Sequence, residues 1–229
     1  MRRILVVNLN LDATETQGCA RIAAALADLA SPTLAVDIVP FAAVPAALGG
    51  THGGLVLGPQ GTPFSRYDAA FLPALRRIVE AFPGPVLGVC GGMQALALAW
   101  GGDVGAVCGA AVGADYVGLR KVRGPLHVTF HHAALPGWLP AAARARLATW
   151  DAAGATVFES HVEHVTRVPA EFAVVASSPE TPVEALVHRS RPILASQFHP
   201  ELGWDEGCAS GRLWLQLWCD LVSNEALRR

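Results

Sequence analysis

Apolar and polar positions alternate along the chain in two rhythms. Ile4 to Asn8 is a short, continuously apolar and β-branched run, the pattern of a strand buried on both faces. From Thr16 to Leu29 the apolar positions recur at helical spacing, and Leu34 to Val39 predicts a second strand. Gly53 to Gly58 predicts a third, ending in the loop Gly58-Pro59-Gln60-Gly61-Thr62-Pro63. Phe71 to Phe82 reads as a helix closed by Pro83-Gly84-Pro85. Pro85 to Val89 reads as a fourth strand, followed at once by a helix over Met93 to Trp100. Strand–helix alternation of this kind predicts right-handed crossovers and an α/β fold with a mainly parallel sheet.

The second half changes rhythm. Leu126 to Phe130, Thr156 to Glu159, Phe172 to Ser177, Ala185 to His188 and Ile193 to Phe198 all read as short strands. Few helices separate them, so part of this half is expected to be antiparallel. Gly211 to Asn224 carries Leu213, Leu217 and Leu221 at i, i+4 spacing, the stripe of an amphipathic helix. The alanine-rich stretch from Ala133 to Ala155 reads as a surface insertion. No repeat, low-complexity tract or linker interrupts the pattern, which predicts one continuous domain over residues 1–229.

Composition narrows the class. Hydrophobic residues make up 52% of the 229 and charged residues 16%, which excludes a disordered chain. The net charge of −2 gives no electrostatic footprint for nucleic acid. No apolar stretch reaches the ~18 residues of a membrane span, and the run after Arg2-Arg3 stops at Asn8, too early for a secretion signal. The five cysteines, Cys19, Cys90, Cys108, Cys208 and Cys219, are odd in number and form no CxxC pair. That usage fits mostly buried thiols in a reducing, cytoplasmic setting. His131-His132 has no third ligand at a metal-like spacing, so no metal is expected. No Gly-x-x-x-x-Gly-Lys-Ser/Thr loop is present and Lys121 is the only lysine, so no phosphate-handling site and no cofactor are expected.

Two stretches carry chemistry. Gly88-Val89-Cys90-Gly91-Gly92-Met93-Gln94 joins an apolar strand to a helix through Gly-x-Cys-x-Gly, the cysteine form of a nucleophile elbow. Small neighbours permit the tight turn, and the helix N-terminus beneath the sulfur offers free N–H groups that can hold an oxyanion. The second stretch, Gln197-Phe198-His199-Pro200-Glu201, follows a late strand. Pro200 keeps His199 extended, and in an extended segment positions i and i+2 share a side. Glu201 can therefore hold one imidazole nitrogen of His199 while the other serves Cys90, a Cys–His–Glu arrangement. Both motifs fall at carboxyl ends of predicted strands, where open α/β sheets place their sites.

Together these motifs resemble the class I, triad-type glutamine amidotransferase domain. Gly88 to Gln94 matches its nucleophile motif, Phe198 to Glu201 its Phe-His-Pro-Glu base motif, and Gly58 to Pro63 sits where it has its oxyanion loop. Ser160-His161-Val162-Glu163-His164-Val165 is similar to a segment of the GMP synthetase-like branch. The resemblance spans nearly the whole chain. It implies a flavodoxin-like open, mostly parallel sheet flanked by helices. It also implies a glutaminase half-reaction. Cys90 would attack the side-chain amide of L-glutamine, His199 would carry the proton, Glu201 would orient His199, and a γ-glutamyl thioester would form and hydrolyse. Gly91 would donate to the oxyanion, Gln94, Ser160 and His161 would bind substrate, and the ammonia would pass to a separate synthase.

The chain departs from the family pattern at three places. Pro59 stands where a glycine N–H is expected and has none to give, so Gly58 or Gly61 must donate instead, or the oxyanion hole is weakened. Gly91 stands where a larger side chain is usual, and Glu163 where an aspartate is usual, with Glu159 just before Ser160. Two other readings stay open. One is a free-standing hydrolase of γ-glutamyl amides or peptides on the same three residues. The other is a binding or regulatory protein impaired at Pro59. Trp204, just after the base motif, is a candidate for a synthase-facing rim, whereas Trp214 and Trp218 read as core.

Overall fold

The computed structural model describes residues 2–29, 34–44, 52–153 and 155–224. In chain order the first half is β1 (Arg2–Asn8), α1 (Gln17–Leu29), β2 (Leu34–Pro40), β3 (Gly54–Leu57), α2 (Phe71–Ala81), β4 (Val86–Val89) and α3 (Gly91–Ala99). The second half is β5 (Asp103–Ala106), β6 (Val122–Phe130), α4 (Ala141–Ala153), β7 (Ala155–His161), β8 (Glu163–Arg167), β9 (Phe172–Ser177), β10 (Ala185–His188), β11 (Ile193–Ser196) and α5 (Ala209–Ser223). The main sheet has the order β2-β1-β3-β4-β11-β10-β9-β6-β7. The strands from β2 to β11 run parallel, and the pairs beyond β11 are antiparallel. This is a mixed α/β sheet of flavodoxin-like order, with β11 filling the fifth parallel position.

The period of two along the parallel strands sorts side chains into two cores. Ile4, Val6, Leu87, Val89 and Leu194 face α1, α4 and α5, where Trp214 and Trp218 are fully buried. Leu5, Val7, Val86, Ile193 and Ala195 face α2 and α3. Both faces are covered, which is why these strands read as unbroken apolar runs.

Three features differ from the sequence expectation. Ala133 to Ala155 is not a surface insertion: it contains α4, and Leu139, Leu147 and Trp150 are buried in the first core. Its alanines mask three large anchors spaced too widely to stand out. Strand β6 begins at Val122, four residues before the predicted start, because Gly124 takes a φ of +107° and Pro125 still pairs with Phe158. Strands β5 and β8 pair antiparallel as a small second sheet that the apolar pattern did not reveal. Among the described residues no helix is long and apolar enough to cross a membrane.

Candidate active site

Strand β4 ends at Val89 and α3 begins at Gly91, so Cys90 is a one-residue turn. It has φ 51° and ψ −106° and is the only non-glycine residue with positive φ among those described. Such a conformation costs on the order of 1–3 kcal/mol and must be held by its surroundings. Here the Cys90 N–H donates to Ser196 O of β11 at 2.7 Å, and Gln94 N–H closes the first helical turn onto Cys90 O at 3.1 Å. Gly92 is required by space: a Cβ there would stand 2.1 Å from Leu57 O. A Cβ on Gly88 would stand 2.9 Å from the Gly92 backbone. The glycines let α3 rise directly from the sheet edge with the sulfur at its N-terminus.

The chain leaves β11 at Ser196 and brings His199 beside the sulfur. His199 Nδ1 lies 2.8 Å from Glu201 Oε1, and the ring is close enough to the Cys90 sulfur for their charges to interact. Burial alone would lower the His199 pKa, but negative charge at Glu201 and at the Cys90 sulfur outweighs it, and the ring is held well above the usual imidazole range. His199 N–H is fixed by Phe158 O of β7 at 2.8 Å, and Trp204 Nε1–H donates to Pro200 O at 2.8 Å while its ring stacks under Arg212. Trp204 thus braces the turn that carries His199. Gln197, the residue that leads into this turn, donates from Nε2 to Cys90 Sγ at 3.5 Å.

The loop after β3 answers the question posed by Pro59. Pro59 packs against Gly18 of α1. Gly58 N–H donates to Val7 O at 3.0 Å, and Gly61 N–H to Asn10 Oδ1 at 3.0 Å. Neither glycine expected to complete an oxyanion hole has its N–H free. The backbone nitrogen against the elbow is that of Gln60, 2.8 Å from where a Cβ on Gly91 would lie, with Gln60 Cγ at 2.5 Å. Gln60 therefore occupies the space that a larger residue at position 91 would fill, which accounts for Gly91. As the first residue of α3, Gly91 also has an N–H without an intrahelical acceptor.

A cavity of about 130 Å³ opens over the sulfur, lined by Gln60, Gly61, Cys90, Gln94, Tyr116, Lys121 and residues 160–163. Gln94 is buried, and its Nε2 donates to Glu163 O at 2.6 Å and to Gln197 Oε1 at 3.1 Å, which leaves its Oε1 as an acceptor. Ser160 O lies 4.0 Å from Cys90 Sγ. The His161 ring is bonded at both nitrogens, to Glu159 Oε2 at 2.8 Å and to Thr181 Oγ1 at 3.3 Å, so it holds structure rather than offering a free group to the cavity. Burial lowers its pKa to about 4, keeping it neutral. Tyr116, from the irregular segment between β5 and β6, closes one wall: its hydroxyl donates to Glu163 Oε2 at 2.5 Å and accepts from Gln60 Nε2 at 3.3 Å. Burial raises the Glu163 pKa despite that bond.

Gln60, Tyr116, Lys121 and Gln197 were not singled out as site residues by the sequence. Gln60 and Gln197 stood inside quoted motifs, whereas nothing around Tyr116 marked it. Of the remaining cysteines, Cys19 packs beneath Gly58 and Cys219 lies on α5, their pKa values raised by burial to about 11 and about 12, and Cys208 is buried. Exposed Cys108 has its pKa lowered by backbone N–H groups of Ala110 and Arg120. His131 Nε2 is 2.8 Å from Ser177 Oγ, and no group of three or more His, Cys, Asp or Glu is arranged for a metal ion among the described residues.

The open α/β sheet thus gathers a thiol at a strand–helix elbow, an imidazole and a carboxylate at its carboxyl edge, the place where such folds build their sites. The chain belongs to the class I glutamine amidotransferase family, whose family model matches residues 35–207. It is 28% identical over 148 residues to a GMP synthase [glutamine-hydrolyzing] of Francisella tularensis subsp. holarctica, covering 65% of this chain and 24% of that protein. The chain thus spans about a quarter of the length of the curated relatives it matches. Among solved structures it is similar to a putative GMP synthase subunit from Thermoplasma acidophilum, with a TM-score of 0.69 and 25% identity over 97% of this chain and 94% of that one. A glutamine amidotransferase from Thermotoga maritima shares the fold, with a TM-score of 0.63 at 14% identity over 97% and 99% of the two chains.

Proposed function

We propose that this chain is a glutaminase that hydrolyses the side-chain amide of L-glutamine and delivers ammonia to a separate synthase of the GMP synthase type. The observation that carries the reading is that Glu201 is hydrogen-bonded to His199, and His199 is charge-coupled to Cys90, at a small cavity lined mostly by polar residues. The Cys90 sulfur attacks the amide carbon, and the resulting oxyanion accepts from the N–H groups of Gln60 and Gly91. Protonated His199 gives its proton to the amide nitrogen as the C–N bond breaks, releasing ammonia and leaving a γ-glutamyl thioester on Cys90. Water then attacks the thioester, His199 takes the water's proton, and glutamate departs. Glu201 holds the ring in the one orientation that serves both steps. Gln94 Oε1 and Ser160 O face substrate donors.

The test is glutamate release from L-glutamine by the purified chain, with Cys90→Ala alongside, each with and without the GMP-synthase-type partner. The reading expects turnover that requires Cys90 and a γ-glutamyl adduct on the Cys90 peptide after acid quench. Turnover that survives in Cys90→Ala would overturn it. So would an absence of turnover and of adduct in the presence of the partner.

A further inference from the structure

Behind the triad lies a second cluster of ionisable side chains that the reaction above does not use. Glu159, His161 and Glu184 are 0%, 3% and 0% exposed. Glu159 Oε2 takes the bond from His161 Nδ1 at 2.8 Å, and Glu184 Oε1 takes the bond from Ser178 Oγ at 2.6 Å. The remaining oxygens, Glu159 Oε1 and Glu184 Oε2, are fully buried with no hydrogen-bond partner, and the two carboxyl groups are close enough to interact directly. Two ionised carboxylates do not stay together in such a place, because each lacks water and repels the other. One proton resolves every valence: Glu184 Oε2–H donates to Glu159 Oε1, Glu159 is the anion with two donors, and neutral His161 accepts from Thr181.

We propose that Glu159 and Glu184, joined by this single proton, form a clasp that positions Cys90 and His199 from behind. Each partner sits in a backbone segment that fixes one side of the catalytic pair. On β7, the neighbours of Glu159 are Phe158, whose carbonyl anchors His199 N–H, and Ser160, whose carbonyl faces the Cys90 sulfur. The Glu184 carbonyl anchors Gln197 N–H at 2.8 Å, and the Gln197 side chain reaches Cys90 Sγ. Removing the proton puts two buried anions face to face and drives these two segments apart. The groups facing the clasp are His161 on β7, His199 after β11, Lys121 before β6, Glu180 beyond β9, His164 on β8 and Cys208 at the head of α5. Burial raises the Glu159 pKa to about 7 and, with the charge of Glu159 next, the Glu184 pKa to about 9, so the pair holds a single proton between those values and loses it on the alkaline side.

The proposal rests on the glutaminase reading for its kinetic readout, so a readout independent of glutamine is paired with it. Glu184→Gln keeps the geometry, since its amide N–H can donate to Glu159 and its carbonyl accept from Ser178, but it has no proton to lose. Glu184→Ala breaks the clasp. Both variants and the parent chain are assayed from pH 6.5 to 10.5 for glutaminase kcat and, separately, for the iodoacetamide alkylation rate of Cys90 read by peptide mass mapping. The expected result is an alkaline fall in Cys90 alkylation for the parent chain, centred near pH 9, that is absent in Glu184→Gln, whereas the alkaline limb of kcat set by His199 is present in both. Glu184→Ala loses about tenfold or more in kcat at pH 7.5 with a smaller change in KM, and Glu184→Gln restores most of it. An alkaline fall in Cys90 alkylation at the same pH in Glu184→Gln overturns the clasp, even if Glu184→Ala does not fold. If glutamine turnover fails throughout, the glutaminase reading falls while the alkylation profile still decides the clasp.

Discussion

Gly91→Ala tests which backbone N–H holds the oxyanion. Alanine is the better helix former by roughly 1 kcal/mol at an interior position, so the substitution does not threaten α3. The new methyl stands 2.5 Å from Gln60 Cγ and 2.8 Å from Gln60 N. The side chain can swing aside at the expense of its bonds to Tyr116 and Thr62. The backbone nitrogen cannot, and must retreat by several tenths of an ångström to reach an ordinary contact. Full removal of one oxyanion donor costs about 10²–10³ in kcat, or ~2.7–4 kcal/mol, and displacement of a donor approaches the lower end. The expected outcome is therefore about a 10²-fold loss in kcat with a much smaller change in KM and an unchanged iodoacetamide rate at Cys90. Gly61→Ala is the matched control: its Cβ meets nothing closer than 3.8 Å, and its N–H is already bound to Asn10. Steady-state glutamate release measures both. Full activity in Gly91→Ala together with a large loss in Gly61→Ala would refute the assignment of Gln60 and restore the glycine.

Glu201→Gln removes the charge that holds the His199 pKa up and leaves burial to pull it down, so the alkaline limb of the kcat profile moves to lower pH and kcat falls by about 10²-fold or more. The sign extends to stability. A raised imidazole pKa stabilises the fold below the ordinary imidazole value and loses that contribution as pH rises through the folded value. Thermal melts should therefore separate Glu201→Gln from the parent most below pH ~6.5 and converge at high pH, and the opposite trend would contradict the pairing. Trp214→Ala deletes a fully buried ring packed against Phe130, Trp150 and Phe198, next to the base motif. Urea unfolding should show a loss of about 3–5 kcal/mol, and a loss under ~1 kcal/mol would mean that this core closes without it.

The parts of the molecule that were legible in sequence are those where the constraint is local. A strand buried on both faces must be apolar throughout, which marks β1, β3, β4 and β11 without reference to their neighbours. The elbow needs glycine at Gly88 and Gly92 for contacts within a few residues of each other and at the adjacent strand end, and the motif announces them. His199 and Glu201 meet because an extended backbone puts i and i+2 on one side. Where the constraint is not local, the reading failed: α4 is held by three anchors among alanines, and β6 runs through Gly-Pro because its partner β7 tolerates the bend.

The oxyanion loop shows the same division at finer grain. The sequence says that Pro59 has no N–H, and this much is certain from chemistry. It does not say which neighbour takes over, because that depends on where β1 and the loop after it place their acceptors. Val7 O and Asn10 Oδ1, both before the first helix, capture Gly58 and Gly61 and leave Gln60 against the elbow. Gly91 and Gln60 are then two halves of one arrangement: a larger residue at 91 would expel Gln60, and a loop without Gln60 would leave a gap over Gly91. Glu159, on β7, and Glu184, just before β10, make the point again across 25 residues, since each looks like a misplaced buried charge until the other is set beside it. Residues that touch in space therefore carry more about this site as pairs than either does read alone.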